Sequence, residues 1–207
     1  MNSTRHIFLK GPSGAGKTSL LLKCIAPYRR YVGGFITQRL VNSSGETEGF
    51  SIQPLENVTE SVIPYADTVQ NVFIQKNTDG WKKNTDLLVN SCISLISSAR
   101  RAHKKLLVLD EIGGIESDTP EFTAFLGSLL QSNVHCIGVL KMKENMNSMQ
   151  EHFPIHNTLK DARSLIEEDL TEKWNCKLLS FSRENSAQIE SVLSSFIRSC
   201  TGVSYAL

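Results

Sequence analysis

One stretch of eight residues, Gly11-Pro12-Ser13-Gly14-Ala15-Gly16-Lys17-Thr18, constrains the rest of the chain more than any other feature. Its spacing is G-x-x-x-x-G-K-T. It follows the apolar run Ile7-Phe8-Leu9 and opens a helix-like stretch beginning at Ser19. That strand–loop–helix context is the setting a phosphate-binding loop requires. Glycines let the backbone curl with its N–H groups pointing inward, at a helix N-terminus whose dipole favours anions. Residues 11–19 are therefore the expected phosphate cradle. Lys17 is expected to reach the β- and γ-phosphates and Thr18 to bind Mg²⁺. The implied ligand is a nucleoside triphosphate such as ATP or GTP.

A second motif fits the first. Leu106-Leu107-Val108-Leu109-Asp110-Glu111 is a continuous apolar run ending in two carboxylates, the Walker B pattern. Such a run reads as a strand buried on both faces. Asp110 at its carboxyl end is expected to hold Mg²⁺. If the strand ends there, the Glu111 side chain opens toward the phosphates and can polarise an attacking water.

Around these motifs strands alternate with helices. Residues 5–10 read as the first strand and 16–26 as the first helix, stopped by Pro27. Residues 31–38 and 49–52, split by the turn signal Asn42-Ser43-Ser44-Gly45, read as an inserted β-hairpin. Short strands are expected near Val62-Ile63 and Val72-Phe73-Ile74. Leu88, Cys92, Leu95, Ile96, Ala99 and Ala102 fall at helical spacing, which predicts a long helix over 85–103. Thr119-Pro120 looks like an N-cap with proline in the first turn. A strand over 134–140, a helix around Ala162–Leu170, a strand over 178–181 and a closing amphipathic helix complete the order. The fold class predicted is α/β, a mainly parallel sheet with helices on both faces, in one domain over residues 1–207.

Composition bounds the function classes. Hydrophobic residues make up 40% and the net charge is +1, which gives no global attraction to nucleic acid or an anionic membrane. Five scattered cysteines form no C-x-x-C and read as buried thiols in a reducing compartment. No apolar run is long enough for a membrane span. The first strand begins too early for a signal peptide. The expectation is a cytoplasmic monomer with no membrane or nucleic-acid partner. The basic cluster Arg100-Arg101-Ala102-His103-Lys104-Lys105 lies at a helix C-terminus, where cations suit the dipole. His152 and His156 are separated by Pro154 and do not form a zinc-binding helix pair.

The P-loop, then Gly34-Phe35-Ile36-Thr37 with Gly49-Phe50, then Asp110-Glu111-Ile112-Gly113 followed by Ile115-Glu116, together resemble the THEP-type (cancer-related) nucleoside-triphosphatases. The likeness covers about residues 7–141. It implies a RecA-like P-loop NTPase domain that hydrolyses ATP, GTP and other nucleotides with loose base selectivity and low turnover. In such a sheet the strand after Walker B lies between the Walker B and P-loop strands. Residues 134–140 would then deliver Lys141 beside the γ-phosphate as a third catalytic candidate after Lys17 and Glu111. Three departures stand out. Gln38 occupies a position usually held by Glu, Glu48 precedes the second Gly-Phe where a basic residue is usual, and Val139-Leu140-Lys141 replaces a Thr-x-His-like end. The alternative reading is a nucleoside or nucleotide kinase, for which Arg163 is the late-chain lid candidate. A GTP-specific switch would show N-K-x-D, which this sequence lacks.

Overall fold

The computed structural model describes residues 4–142 and 157–203, without the side chains of 157–163. His152 and His156, and the Arg163 side chain, lie outside this part. The apolar runs read from the sequence become the centre of one nine-stranded sheet, in the order β6-β5-β3-β2-β7-β8-β1-β9, with β4 paired to β2. The strands are β1 His6–Lys10, β2 Val32–Val41, β3 Thr47–Pro54, β4 Val62–Pro64, β5 Val72–Asn77, β6 Gly80–Lys83, β7 Leu106–Ile112, β8 His135–Leu140 and β9 Cys176–Ser180. From β2 to β9 every neighbour is parallel, as is β4 on β2; the β2–β3, β3–β5 and β5–β6 pairs are antiparallel. Strand β8 sits between β7 and β1, as the RecA-like reading required.

Helices cover both faces. On one side lie α1 Lys17–Ile25 and α5 Ser186–Thr201, whose Leu21, Ile25, Leu193 and Ile197 pack on Ile7, Leu9, Val108 and Ile137. On the other lie α2 Thr85–Arg101, α3 Pro120–Gln131 and α4 Asn157–Glu172, which bury Leu88, Cys92, Ile96, Phe122, Leu126 and Ile166 against Phe8, Phe35 and Leu109. Because successive strand residues point to opposite faces, a sheet buried on both must be apolar throughout. Residues Leu106 to Leu109 are accordingly all at most 1% exposed.

Several boundaries differ from the sequence reading. The first α-helix ends at Ile25, before Pro27 as expected, but the chain continues as a 3₁₀ turn over Ala26–Tyr31, with proline in a first turn where its missing N–H costs nothing. Helix α2 is capped by Asn84, whose side chain accepts the Leu87 N–H at 2.9 Å. Thr119 precedes α3 but makes no side-chain cap. The hairpin is longer than expected; β4 and β5 form where short strands were expected, and one further strand, β6, follows them. Strand β6 gave no apolar signal because three of its four residues, Gly80, Lys82 and Lys83, are exposed.

The basic cluster serves the fold. Lys104 donates to the Arg30 carbonyl at 3.0 Å and Lys105 to that of Thr201 at 2.9 Å, tying the α2 end to neighbouring elements.

The main correction concerns β7. It does not stop at Asp110 but runs to Ile112, with a bulge. Leu109 pairs with Gly138 and Ile112 with Leu140, so β7 holds one residue more than β8 over this interval. Gly138 sits where a Cβ would overlap the Leu109 carbonyl oxygen, so the backbones approach there only because no side chain intervenes. Gly138→Ala should therefore destabilise the protein by about 1–3 kcal/mol. A urea-unfolding midpoint equal to that of the parent would show that β8 gives way without cost.

Candidate active site

Gly16, with φ 103° and ψ 15°, turns the chain into α1 in a left-handed conformation that glycine adopts freely. The turn brings Lys17 inward. Its ammonium donates to the carbonyls of Gly11 at 2.9 Å and Pro12 at 2.8 Å, and the residue is only 4% exposed. Burial pulls the Lys17 pKa below the ordinary lysine range, while Glu111 and Asp110 act in the opposite sense.

Asp110 is the hub of the cluster. One carboxylate oxygen accepts from the Thr18 hydroxyl at 2.9 Å, the other from the Thr37 backbone N–H at 3.0 Å. Three segments distant in sequence, the P-loop helix, β2 and β7, thus meet on one carboxylate. Asp110 is 1% exposed, and burial, reinforced by the neighbouring Glu111 charge, pushes its pKa up to about 8; the Thr37 and Thr18 bonds oppose this. A buried carboxylate beside a second carboxylate is poised to take a cation.

Glu111 has φ 58°, a left-handed conformation rare for residues with a side chain. In a regular strand Asp110 and Glu111 would face opposite sides of the sheet. The bulge and the left-handed φ re-aim Glu111, so that both carboxylates line one cavity. Such a conformation costs on the order of 1–3 kcal/mol.

That cavity, about 250 Å³, begins at Ser13, Gly14, Gly16, Lys17 and Thr18 and passes Thr37, Asp110, Glu111 and Lys141. Its apolar lining includes Phe35, Phe50, Phe73, Leu88 and Cys92. Phe35 is only 1% exposed and belongs to the core as well as to the wall. Gly11 and Ala15 complete the loop, with the Ala15 N–H donating to the Pro12 carbonyl at 3.3 Å. Ser19 lies on the rim, its hydroxyl 3.0 Å from that of Ser61. Lys141 follows the end of β8, and its N–H donates to the Ile112 carbonyl at 2.8 Å. All three catalytic candidates therefore line the same cavity.

Three participants escaped the sequence reading. Glu116, quoted only as part of a motif, turns back, is 3% exposed, and accepts the N–H groups of Gly113 at 2.7 Å and Gly114 at 2.9 Å. Burial raises its pKa, and Lys141 is among the groups that lower it. Thr37, quoted only as part of a motif, anchors Asp110. Arg39 shares its cavity-facing side, because Phe35, Thr37 and Arg39 alternate along β2. That period-two pattern was the available signal. Gln38, on the opposite face, donates to the Glu60 carbonyl at 2.7 Å and is a tether for the β3–β4 connection.

Among the described residues no helix is long and apolar enough to cross a membrane. Of the five cysteines, Cys24, Cys92, Cys136 and Cys176 are buried thiols and Cys200 is partly exposed.

Comparison with known proteins returns one family. An NTPase family profile matches residues 6–171. A nucleoside-triphosphatase THEP1 from Thermococcus kodakarensis is 30% identical over 146 residues, covering 67% of this chain and 77% of that protein. The crystal structure of THEP1 from Aquifex aeolicus superposes with a TM-score of 0.61 at 19% identity, covering 93% of this chain and 98% of that one. The solution structure of a human cancer-related nucleoside triphosphatase gives 0.57 at 17% identity, covering 94% and 98%. These two likenesses concern the fold.

The raised Asp110 pKa has a measurable consequence. The folded protein retains the Asp110 proton up to about pH 8, whereas the unfolded chain releases it near the ordinary aspartate value. Over that window the folded state binds more protons, so its contribution to stability is present at low pH and is lost as pH rises through about 8. His6, whose pKa burial lowers to about 4, has the opposite slope but only below its ordinary value of 6.5. Between pH 6.5 and 8.5, metal-free protein should lose stability relative to Asp110→Asn, on the order of 1 kcal/mol per pH unit at most. Parallel melting curves for the two proteins across this range would contradict the assignment.

Proposed function

This chain belongs to the THEP1-type nucleoside-triphosphatase family, and from that premise we propose that it hydrolyses the γ-phosphate of ATP, GTP and other nucleoside triphosphates with loose base selectivity. The observation that carries the reading is the bulge at the end of β7, which turns Glu111 into the cavity that also holds Lys17 and Asp110. A strained conformation retained at a polar cavity is a reason to look for function there.

The residue roles follow from chemistry and position. The P-loop amides and Lys17 bind the phosphates; Lys17 exchanges its bonds to Gly11 and Pro12 for phosphate oxygens. Thr18 and Asp110 would hold Mg²⁺. Their oxygens already stand 2.9 Å apart, and one hydroxyl with one carboxylate is a hard-oxygen set of the kind Mg²⁺ shares with phosphates and water. When bound, the ion neutralises charge on the β- and γ-oxygens. Glu111 accepts a hydrogen bond from the attacking water and takes its proton as the bond to phosphorus forms. Lys141 stabilises charge developing on the transferred group. Thr37 fixes the orientation of the Asp110 carboxylate.

The primary experiment is release of inorganic phosphate from each common nucleoside triphosphate with Mg²⁺ and no added acceptor, which separates hydrolysis from transfer to a second substrate. Glu111→Gln keeps the side-chain size but removes the charge, and should slow release by about 10²–10⁴-fold while triphosphate binding survives. Equal losses of rate and affinity would make Glu111 structural. Lys141→Met should lower turnover by at least tenfold, roughly the effect of 1.4 kcal/mol, with a smaller change in nucleotide affinity. Turnover within about twofold of the parent would remove Lys141 from the mechanism.

A further inference from the structure

Arg39 has no role in the reading above, yet its position is closely determined. It lies on β2 two residues beyond Thr37, on the same face, and lines the phosphate cavity with Ser13, Gly14 and Thr18. Two residues of strand correspond to about 7 Å, so Arg39 stands just past the Asp110 anchor at the carboxyl end of the sheet. There β7 no longer flanks β2, whose pairing with it ends at Phe35 and Leu109. Strand β4 takes over, with Arg39 opposite Val62.

The backbone there is pinned to the P-loop helix. The Arg39 N–H donates to the Ser61 carbonyl at 2.9 Å. The Ser61 hydroxyl lies 3.0 Å from that of Ser19, the residue after Thr18. Arg39 is thus held across the cavity mouth from the phosphate loop by two hydrogen bonds and one intervening residue.

Arg39 is half-buried, and among the described residues its guanidinium makes no hydrogen bond or ion pair. Three carboxylates share the cavity with it, and among the described residues none of them pairs with Arg39. Asp110 is bound to Thr18 and Thr37, Glu116 to the Gly113 and Gly114 amides, and Glu111 at the bulge lines the cavity near enough to Lys17 to act on its charge. A cation inside a binding cavity with no partner among the described residues is suited to a ligand's negative charge. Arginine suits a phosphoryl group better than lysine because its planar fork meets two oxygens at once.

We propose that Arg39 is a catalytic residue that contacts the γ-phosphoryl group, acting from within the same chain as an arginine finger. The inference rests on the hydrolase reading above. As the bond from the γ-phosphorus to the β,γ-bridging oxygen breaks and that to water oxygen forms, Glu111 takes the water proton and the nucleoside diphosphate leaves with the bridging electrons. Charge on the transferred group is then matched by Arg39 from the β2 side and by Lys17 from the loop. The nucleoside diphosphate lacks the group Arg39 addresses, so its binding is independent of Arg39.

The test compares wild type, Arg39→Ala and Arg39→Lys in steady-state phosphate release with Mg·ATP. It also measures binding of Mg·ADP alone and of Mg·ADP with aluminium fluoride, which imitates the transferring phosphoryl group. Arg39→Ala should lower kcat by at least about 10²-fold, change KM less than about threefold, bind Mg·ADP as wild type does, and lose the extra affinity that fluoride confers. Arg39→Lys should recover only part of that loss. Turnover of Arg39→Ala within about twofold of wild type, or undiminished fluoride-dependent capture, would overturn the proposal. So would an equal loss of Mg·ADP affinity, which would make Arg39 part of the general nucleotide cradle. Wild-type protein that released no phosphate would overturn the hydrolase reading itself, a result distinct from wild-type turnover that Arg39→Ala retains.

Discussion

The site depends on one carboxylate. Asp110 accepts from the Thr18 hydroxyl and the Thr37 amide, and thereby fixes α1 and β2 relative to β7. Hydrogen bonds to a neutral acceptor are worth roughly 0.5–1.5 kcal/mol each, and here they connect segments 73 and 92 residues apart. The same burial that makes these bonds strong also makes the free charge unfavourable. The group is therefore stable either protonated or neutralised by a cation. A structural anchor and a metal-ready oxygen are one and the same atom set.

The second constraint is geometric. Two acidic residues adjacent on a strand point to opposite sides of its sheet, so the pair Asp110-Glu111 cannot serve one site from regular β structure. The bulge that follows the Leu109–Gly138 pair solves this, with Glu111 in a left-handed conformation. Three features cooperate: a glycine that permits close approach, an extra residue in β7, and strain at Glu111. The buried apolar residues on both sides of the sheet hold that strain in place, since β7 cannot slip without moving Leu107, Val108 and Leu109 out of the core.

The hairpin is more than an insertion. The first half of β2 belongs to the parallel sheet, paired to β7; its second half belongs to the antiparallel extension, paired to β3 and flanked by β4. At the transition sit Thr37, which faces the carboxylate, and Arg39, which faces the mouth. On the opposite face Gln38 tethers the β3–β4 connection through Glu60. The alternation of the strand sends neighbouring residues to the cavity and to the scaffold in turn.

The sequence by itself determined the elements whose physics is local. The glycine spacing of residues 11–18 specifies a phosphate loop, and the apolar run before Asp110 specifies a strand buried on both faces. Helical spacing in α2 and α5 specifies which face of each packs. The family resemblance added the strand order, which the sheet bears out. What only the tertiary structure decided depends on contacts between distant segments. The β7 bulge is a register relation to β8, and no pattern within residues 106–112 encodes it. Nothing local to Glu116 announces its burial, which comes from accepting the Gly113 and Gly114 N–H groups. Strand β6, short and exposed, has no hydrophobic period to read and exists because β5 offers it a ladder. Arg39 appears in the sequence as one charge on a hairpin strand. Its place beside the phosphate loop arises only when Ser61 pairs with β2 and meets Ser19, a long-range hydrogen-bond chain that local propensity cannot announce.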